Sequence, residues 1–392
     1  MRNKRLFQLL LLMGVAFPGA HGVICQDEQV IQTNEKITIN STVLNETRSI
    51  LVRLPANYAE RSEKYPVIYM LDGQTPRITL MTGTIENLVD SDLAPEMILV
   101  SIPNTIRPRD MTPSVFAGTP ASGGADNFIK FIESEVMPTV EKRYRVQPFK
   151  ILVGHSLSGL LVSYAFVSRP ELFNAYLAAS PFLQWDERFV LKRGEALLKP
   201  KKLLNRTLYF AIGDEPPFVE AFNGFKEMLD RLQIKDLDYE VRQLPGENHW
   251  STNADVFNRG LRKVWKSWRM PPAATNSELS LADLETHYKA ASGRFGYTIS
   301  IPENFLNPLG FRLIQSGKTA EAIGAFQRST ELYPNSPNAL NGLASAFERN
   351  GEFAKAKENY EKALKLAEKG GSNRFTESIK ESLKRVAAKI TS

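Results

Sequence analysis

The chain has 392 residues, 43% of them hydrophobic and 23% charged, with 49 Lys and Arg against 43 Asp and Glu for a formal charge of +6. At roughly 150 residues per domain this is an ordinary globular protein of two or three domains, not a disordered, collagen-like or multi-span membrane chain. The basic excess is too thin for a nucleic-acid-binding face, and the single cysteine, Cys25, excludes both an internal disulfide and a cysteine-rich zinc site.

In chain order, Arg2, Lys4 and Arg5 precede an apolar run from Leu6 to Phe17 and then Pro18-Gly19-Ala20. A positive start, a short apolar stretch and small residues are the order of a secretory signal peptide, and the run is short for a permanent span. Residues 1–25 are therefore read as a signal peptide, cleaved after Gly22 or Cys25. Ile24 occupies the place where a lipid attachment at Cys25 would want a small residue. The expectation is an exported protein of a bacterial periplasm, or a secreted one, with no transmembrane span in the mature chain.

Residues 30–270 alternate β-rich and amphipathic runs. Strands are predicted at 36–42, 48–54, 66–72, 97–102, 150–154, 176–180, 207–212 and 238–244, and helices near 127–142, 158–168, 219–233 and 254–268. Runs such as Val67-Ile68-Tyr69-Met70-Leu71 are apolar throughout, as strands covered on both faces are. The first two strands, split by Asn45-Glu46-Thr47, read as an antiparallel edge hairpin. The whole reads as an α/β domain, a sheet sandwiched by helices. Pro271-Pro272-Ala273-Ala274 opens a linker and connecting helix at 271–302, and from 303 to 392 the chain is helical and repeats itself. Leu309-Gly310 recurs as Leu343-Ala344, Gly317 as Gly351, Ala322 as Ala356 and Phe326 as Tyr360, each 34 residues apart. That is the tetratricopeptide period; the small residues admit close helix approach, and a capping helix is expected near 375–390. Two such units are few for an independent solenoid, so the tail is expected to lean on the first domain and to close over its site or dock a peptide or protein partner.

Chemistry concentrates in Gly154-His155-Ser156-Leu157-Ser158-Gly159, which joins an apolar strand to a helix. This is the context of a nucleophile elbow, where a serine sits on a cramped turn flanked by small residues. Ser158 stands where the strict pattern has Gly. The Leu157 N–H is aimed at the oxygen that becomes negative. A serine needs a base. His21 is in the leader, His155 adjoins the nucleophile and His287 follows the linker, which leaves His249 in Pro245-Gly246-Glu247-Asn248-His249-Trp250. The acid that orients it belongs after the strand at 207–212, where Asp214 is the first choice and Glu215 and Glu220 are alternatives. A second oxyanion donor is sought after the early strand, at Gly73 or Gln74. Arg107 and Arg109, at the carboxyl end of another strand, could meet an anionic substrate group, although pairing of Arg109 with Asp110 would stiffen the loop instead. His155 and Trp250 are further candidate pocket residues.

These motifs, with Val67–Gln74, Arg109-Asp110-Met111-Thr112-Pro113 and Gly123-Gly124-Ala125-Asp126-Asn127-Phe128, make residues 36–268 resemble the Putative esterase family of α/β-hydrolases. That family includes siderophore (enterochelin) esterases, S-formylglutathione hydrolases and feruloyl esterases. The siderophore-esterase-like branch is the nearest, and it can carry a repeat tail. The resemblance implies ester hydrolysis without metal or organic cofactor, with the nucleophile at Ser156, the histidine at His249 and oxyanion donors at Leu157 and near Gln74. The substrate it implies is a small-molecule ester. An acyltransferase with the same triad and a non-catalytic binding platform are the rival readings.

Overall fold

A computed structural model of the chain describes residues 35–56, 58–73, 75–200, 205–270, 279–369 and 373–391. The signal-like segment 1–25 and the Pro-rich linker 271–277 lie outside them. All eight predicted strands are present: β1 (Glu35–Ser41), β2 (Glu46–Arg53), β3 (Tyr65–Leu71), β4 (Ile98–Ile102), β5 (Val146–His155), β6 (Ala175–Ala179), β7 (Arg206–Ile212) and β8 (Leu237–Gln243). They form one sheet in the order β1-β2-β4-β3-β5-β6-β7-β8. β1 and β2 pair antiparallel at the edge, β2 runs antiparallel to β4, and the rest are parallel. Every residue of β3, β4 and β6 is buried, because helices cover both faces.

The helices of this region are α1 (Thr75–Asp90), α2 (Arg107–Met111), α3 (Ala125–Phe131), α4 (Met137–Arg143), α5 (Leu157–Ser168), α6 (Trp185–Leu198), α7 (Pro216–Leu232) and α8 (Thr252–Val264). A π-helical turn, Ile132–Val136, joins α3 to α4. Three of these helices have no counterpart among the sequence expectations. α1 carries four Thr, two Ile and a Gly, poor helix formers, and is held by burial of Ile78, Met81, Ile85 and Leu88. α2 is only five residues long. In α6, Asp186, Glu187 and Arg188 all take left-handed backbone angles, which interrupts the helical pattern. One face of the sheet carries α1 and α8; the other carries α3 to α7.

The tail comprises α9 (Leu281–Phe295), α10 (Glu303–Gln315), α11 (Thr319–Leu332), α12 (Pro337–Arg349), α13 (Phe353–Lys369) and α14 (Asn373–Thr391). α14 lies where the capping helix is expected. Inside the array Phe326 is boxed by two glycines: a Cβ would stand 2.4 Å from its ring at Gly310 and 2.1 Å at Gly342. The tail shares the core of the α1/α8 face. Phe295 packs on Trp265 (4.8 Å) and Phe149 (5.3 Å), and Arg294 reaches Thr207 and Asp238. Phe149 lies early in β5, Thr207 early in β7 and Asp238 early in β8. The tail thus docks at the amino ends of the parallel strands. The expectation that it closes over the site is overturned, because Ser156 follows the carboxyl end of β5.

Candidate active site

The elbow is built by sterics. Ser156 has φ 61° and ψ −118°, a costly backbone for a residue with a Cβ. It is held on both sides: its N–H donates to Ala179 O (2.9 Å), and its carbonyl accepts from Leu160 (2.9 Å) and Phe182 (3.1 Å). At Gly154 a Cβ would lie 2.5 Å from the Ser158 carbonyl oxygen, so only glycine fits. The departure at Ser158 has a purpose. Its hydroxyl accepts from the His155 N–H and donates to Asp72 Oδ2, both at 2.8 Å. Leu157 opens α5, where a backbone N–H has no acceptor within the helix.

His249 stands beside this turn. The ring of His155, the neighbour of Ser156, lies 4.7 Å from the His249 ring, and its Nε2 is 2.5 Å from the His249 carbonyl oxygen. The acid facing His249 is Glu215, not Asp214: Glu215 Oε2 lies 2.5 Å from His249 Nδ1. Glu215 is 6% exposed, and its other oxygen accepts from Ser180 Oγ (2.5 Å) and Gly213 N (3.1 Å). Thr252 Oγ1 sits 2.9 Å from Ser180 Oγ and 3.2 Å from the His249 carbonyl oxygen.

The correction at Asp214 has a geometric cause. At Gly213 a Cβ would come 2.3 Å from Glu247 O, so the chain after β7 presses against the loop after β8. Asp214 is left outside, where it is exposed and its carboxylate accepts from Gly246 N (2.7 Å) and Gln243 Nε2 (3.2 Å). Glu215, one residue on, turns inward as the N-cap of α7. The other alternative, Glu220, is exposed and pairs with Arg188 at 2.7 Å.

The remaining candidates are redistributed. Arg107, its side chain still 37% exposed, grips buried Asp72 with two hydrogen bonds (2.9 and 2.7 Å) and donates to the His155 carbonyl oxygen (3.2 Å). Burial favours a protonated Asp72, but hydrogen bonds from Arg107, Ser158 and Asn104 outweigh it and hold the carboxyl below its usual range. Arg109 pairs with Glu46 (2.6 Å) and Asp110 (2.9 Å), the stiffening arrangement. The Gly73 N–H donates to Ile102 O (3.2 Å) and is spent on the backbone. Gln74 lies outside the described residues. His155 is buried at 1% exposure and so does not meet substrate directly. Trp250 does stand open: at 67% exposure it lies edge-on to His249 (5.5 Å) and beneath the Arg77 guanidinium (5.8 Å). From His249 an aromatic wall runs through Phe218 (5.9 Å), Phe182 and Trp185 to exposed Phe116. Asp72, Arg77, Ser180 and Thr252 escaped the sequence reading. Only the departure at Ser158 hinted at a partner for its hydroxyl.

Among the described residues, no group of three or more His, Cys, Asp or Glu side chains is placed to hold a metal ion, and no helix is long and apolar enough to cross a membrane.

The family model described as Putative esterase matches residues 41–264, and a Tetratricopeptide repeat model matches residues 337–369. The siderophore triacetylfusarinine C esterase of Aspergillus fumigatus is 31% identical over 240 residues, 52% of this chain and 82% of that protein. The crystal structure of an IroE-like serine hydrolase from Shewanella oneidensis superposes with a TM-score of 0.66 at 26% identity, covering 76% of this chain and 99% of that one. An uncharacterised protein from Capnocytophaga ochracea shares the fold over 91% of this chain and 99% of its own, with a TM-score of 0.69 at 16% identity. With an eight-stranded α/β-hydrolase sheet, an elbow at its centre and a family match over more than half its length, this chain belongs to the Putative esterase family and is a carboxylic ester hydrolase.

Proposed function

We propose that the protein is an exported serine esterase that works through an acyl-Ser156 intermediate, with the catalytic group Ser156, His249 and Glu215. The observation that carries this reading is the 2.5 Å contact between His249 and buried Glu215 beside a serine on a left-handed turn. The His249 Nδ1–H donates to the Glu215 carboxylate, which leaves Nε2 as the base. Ser156 Oγ attacks the ester carbonyl carbon and its proton passes to Nε2. The Leu157 N–H, with the Gln74 N–H as its expected partner, receives the oxyanion, each donor contributing about 3 kcal/mol. Collapse expels the alcohol, which takes the proton from His249. Water then repeats the cycle on the acyl-serine and releases the acid.

Siderophore-type esters are the proposed substrate class, supported by the relative from Aspergillus fumigatus. Exposed Trp250 and Phe116 offer flat apolar faces to ring-bearing acyl groups. A partner for the repeats would dock at the amino ends of the strands and leave the mouth open. A partner that altered KM for a small ester would contradict that placement. Export is tested by the N-terminus of the protein recovered from its producing cell, which under this reading begins after Gly22 or Cys25.

The test of the chemistry is Ser156→Ala, assayed on short acyl esters and on siderophore-type esters. Turnover is expected to fall by about a thousandfold or more, together with loss of labelling by a fluorophosphonate probe. Unchanged turnover or labelling would remove the assignment.

A further inference from the structure

The buried His155 ring has both nitrogens engaged by partners whose roles are fixed. Nδ1 lies 3.2 Å from Arg77 Nη2, a guanidinium that can only donate, so Nδ1 accepts. Nε2 lies 2.5 Å from the His249 carbonyl oxygen, which can only accept, so Nε2 carries the proton. Arg77 thereby selects one neutral tautomer. Arg77 is itself anchored near Asp72 (3.7 Å), the carboxylate that also holds Ser158 and Arg107. The ring is packed against His249 (4.7 Å) and Trp250 (5.3 Å). One connected set of contacts therefore runs from the end of β3 through the elbow to the loop that carries the base.

We propose that His155 is a positioning residue: its Nε2–H fixes the backbone of the His249 loop against the elbow and so sets the approach of the base to Ser156. The inference rests on the serine-esterase reading. It explains why a buried, non-catalytic histidine sits next to the nucleophile. The elbow backbone orients Ser156, and the His155 side chain ties the elbow to a loop 94 residues away, where the same His249 carbonyl oxygen also accepts from Thr252 Oγ1 (3.2 Å) within its own segment. Misplacement of a reacting group by a fraction of its contact distance is costly, because proton transfer demands hydrogen-bond geometry.

The experiment compares His155→Gln with His155→Asn. The two amides differ by one methylene; the Gln amide nitrogen can occupy the place of Nε2, while that of Asn falls short of the carbonyl. Steady-state kinetics on a soluble ester are measured for both and for the parent, with Ser156→Ala as the control for the underlying reading. The expected result is that Gln keeps kcat within about threefold, while Asn loses about tenfold in kcat, the equivalent of one hydrogen bond, with KM within twofold of the parent in each. A structural role alone would lower the two amides alike, or move KM, or spare both. Any of those results overturns the proposal. Parent-level turnover in Ser156→Ala would instead overturn the serine-esterase reading beneath it.

Discussion

The two ends of the parallel strands are built on opposite physical terms. At the carboxyl ends the chain buries charge: Asp72 and Glu215, beside the elbow at Ser156, are carboxylates almost without solvent. At the amino ends, where α9 docks, Trp265, Phe295 and Phe149 interlock, and most ion pairs of the helical tail are exposed. Pairs of that kind contribute little. The lesson is that the most deeply buried carboxylates stand where reacting groups must be aimed, while the far end combines apolar burial with a partly exposed ion-pair cluster around Asp238.

Exchanging the two neighbouring acids breaks this comparison most sharply. Glu215→Gln is expected to lower kcat/KM by about three to four orders of magnitude, as loss of the carboxylate behind a catalytic histidine does. Asp214→Asn, outside the site, is expected to cost less than about threefold. Steady-state kinetics on one ester decide it, and a larger loss at Asp214 would reverse the assignment.

Acid stability separates the two ends by a smaller amount. Burial pushes the His155 imidazole from 6.5 down to about 4, against the hydrogen bond to the His249 carbonyl, with the nearby His249, Arg77 and Asp72 acting as lesser influences. Between those values the unfolded chain binds the proton and the folded one does not, so stability falls as pH drops from about 6.5 to 4 and then levels for this group. That difference corresponds to about 3 kcal/mol. Asp72, with its folded carboxyl depressed below 3.8, contributes stability above 3.8 that is lost as pH falls further, through its folded value. Urea unfolding of the parent and of His155→Gln should therefore converge between pH 7 and pH 4. Parallel curves would show that His155 does not titrate this way.

The smallest effects test the tail. Gly324 lies in a helix with nothing within 4 Å of a built Cβ, so Gly324→Ala is expected to stabilise by about 1 kcal/mol. Gly342 has Phe326 at 2.1 Å, so Gly342→Ala is expected to destabilise by about 1 to 3 kcal/mol despite the same gain in helix propensity. Thermal melts read both, and kcat should not move in either. A rise in melting temperature for Gly342→Ala would mean that Phe326 has room to turn aside.

Much of this was readable in one dimension. β-rich runs, several of them uninterrupted and apolar, located the strands, the 34-residue period located the helical repeats, and Gly154-His155-Ser156 between a strand and a helix located the elbow, because each depends on residues close in sequence. α1 was not legible, since its Thr- and Ile-rich run folds as a helix only for the core it fills. Nor was the acid: Asp214 and Glu215 are equivalent in sequence, and the squeeze between Gly213 and Glu247 sends one out and the other in. The tethers from Asp72 to Ser158 and from His155 to His249, and the docking of the tail at the amino ends, join residues far apart along the chain. Local pattern determined the strands, most of the helices and the position of the elbow at Ser156. Tertiary packing alone decided which carboxylate faces the histidine and what holds the histidine in place, because side-chain direction at a strand end follows from the loop pressed against it.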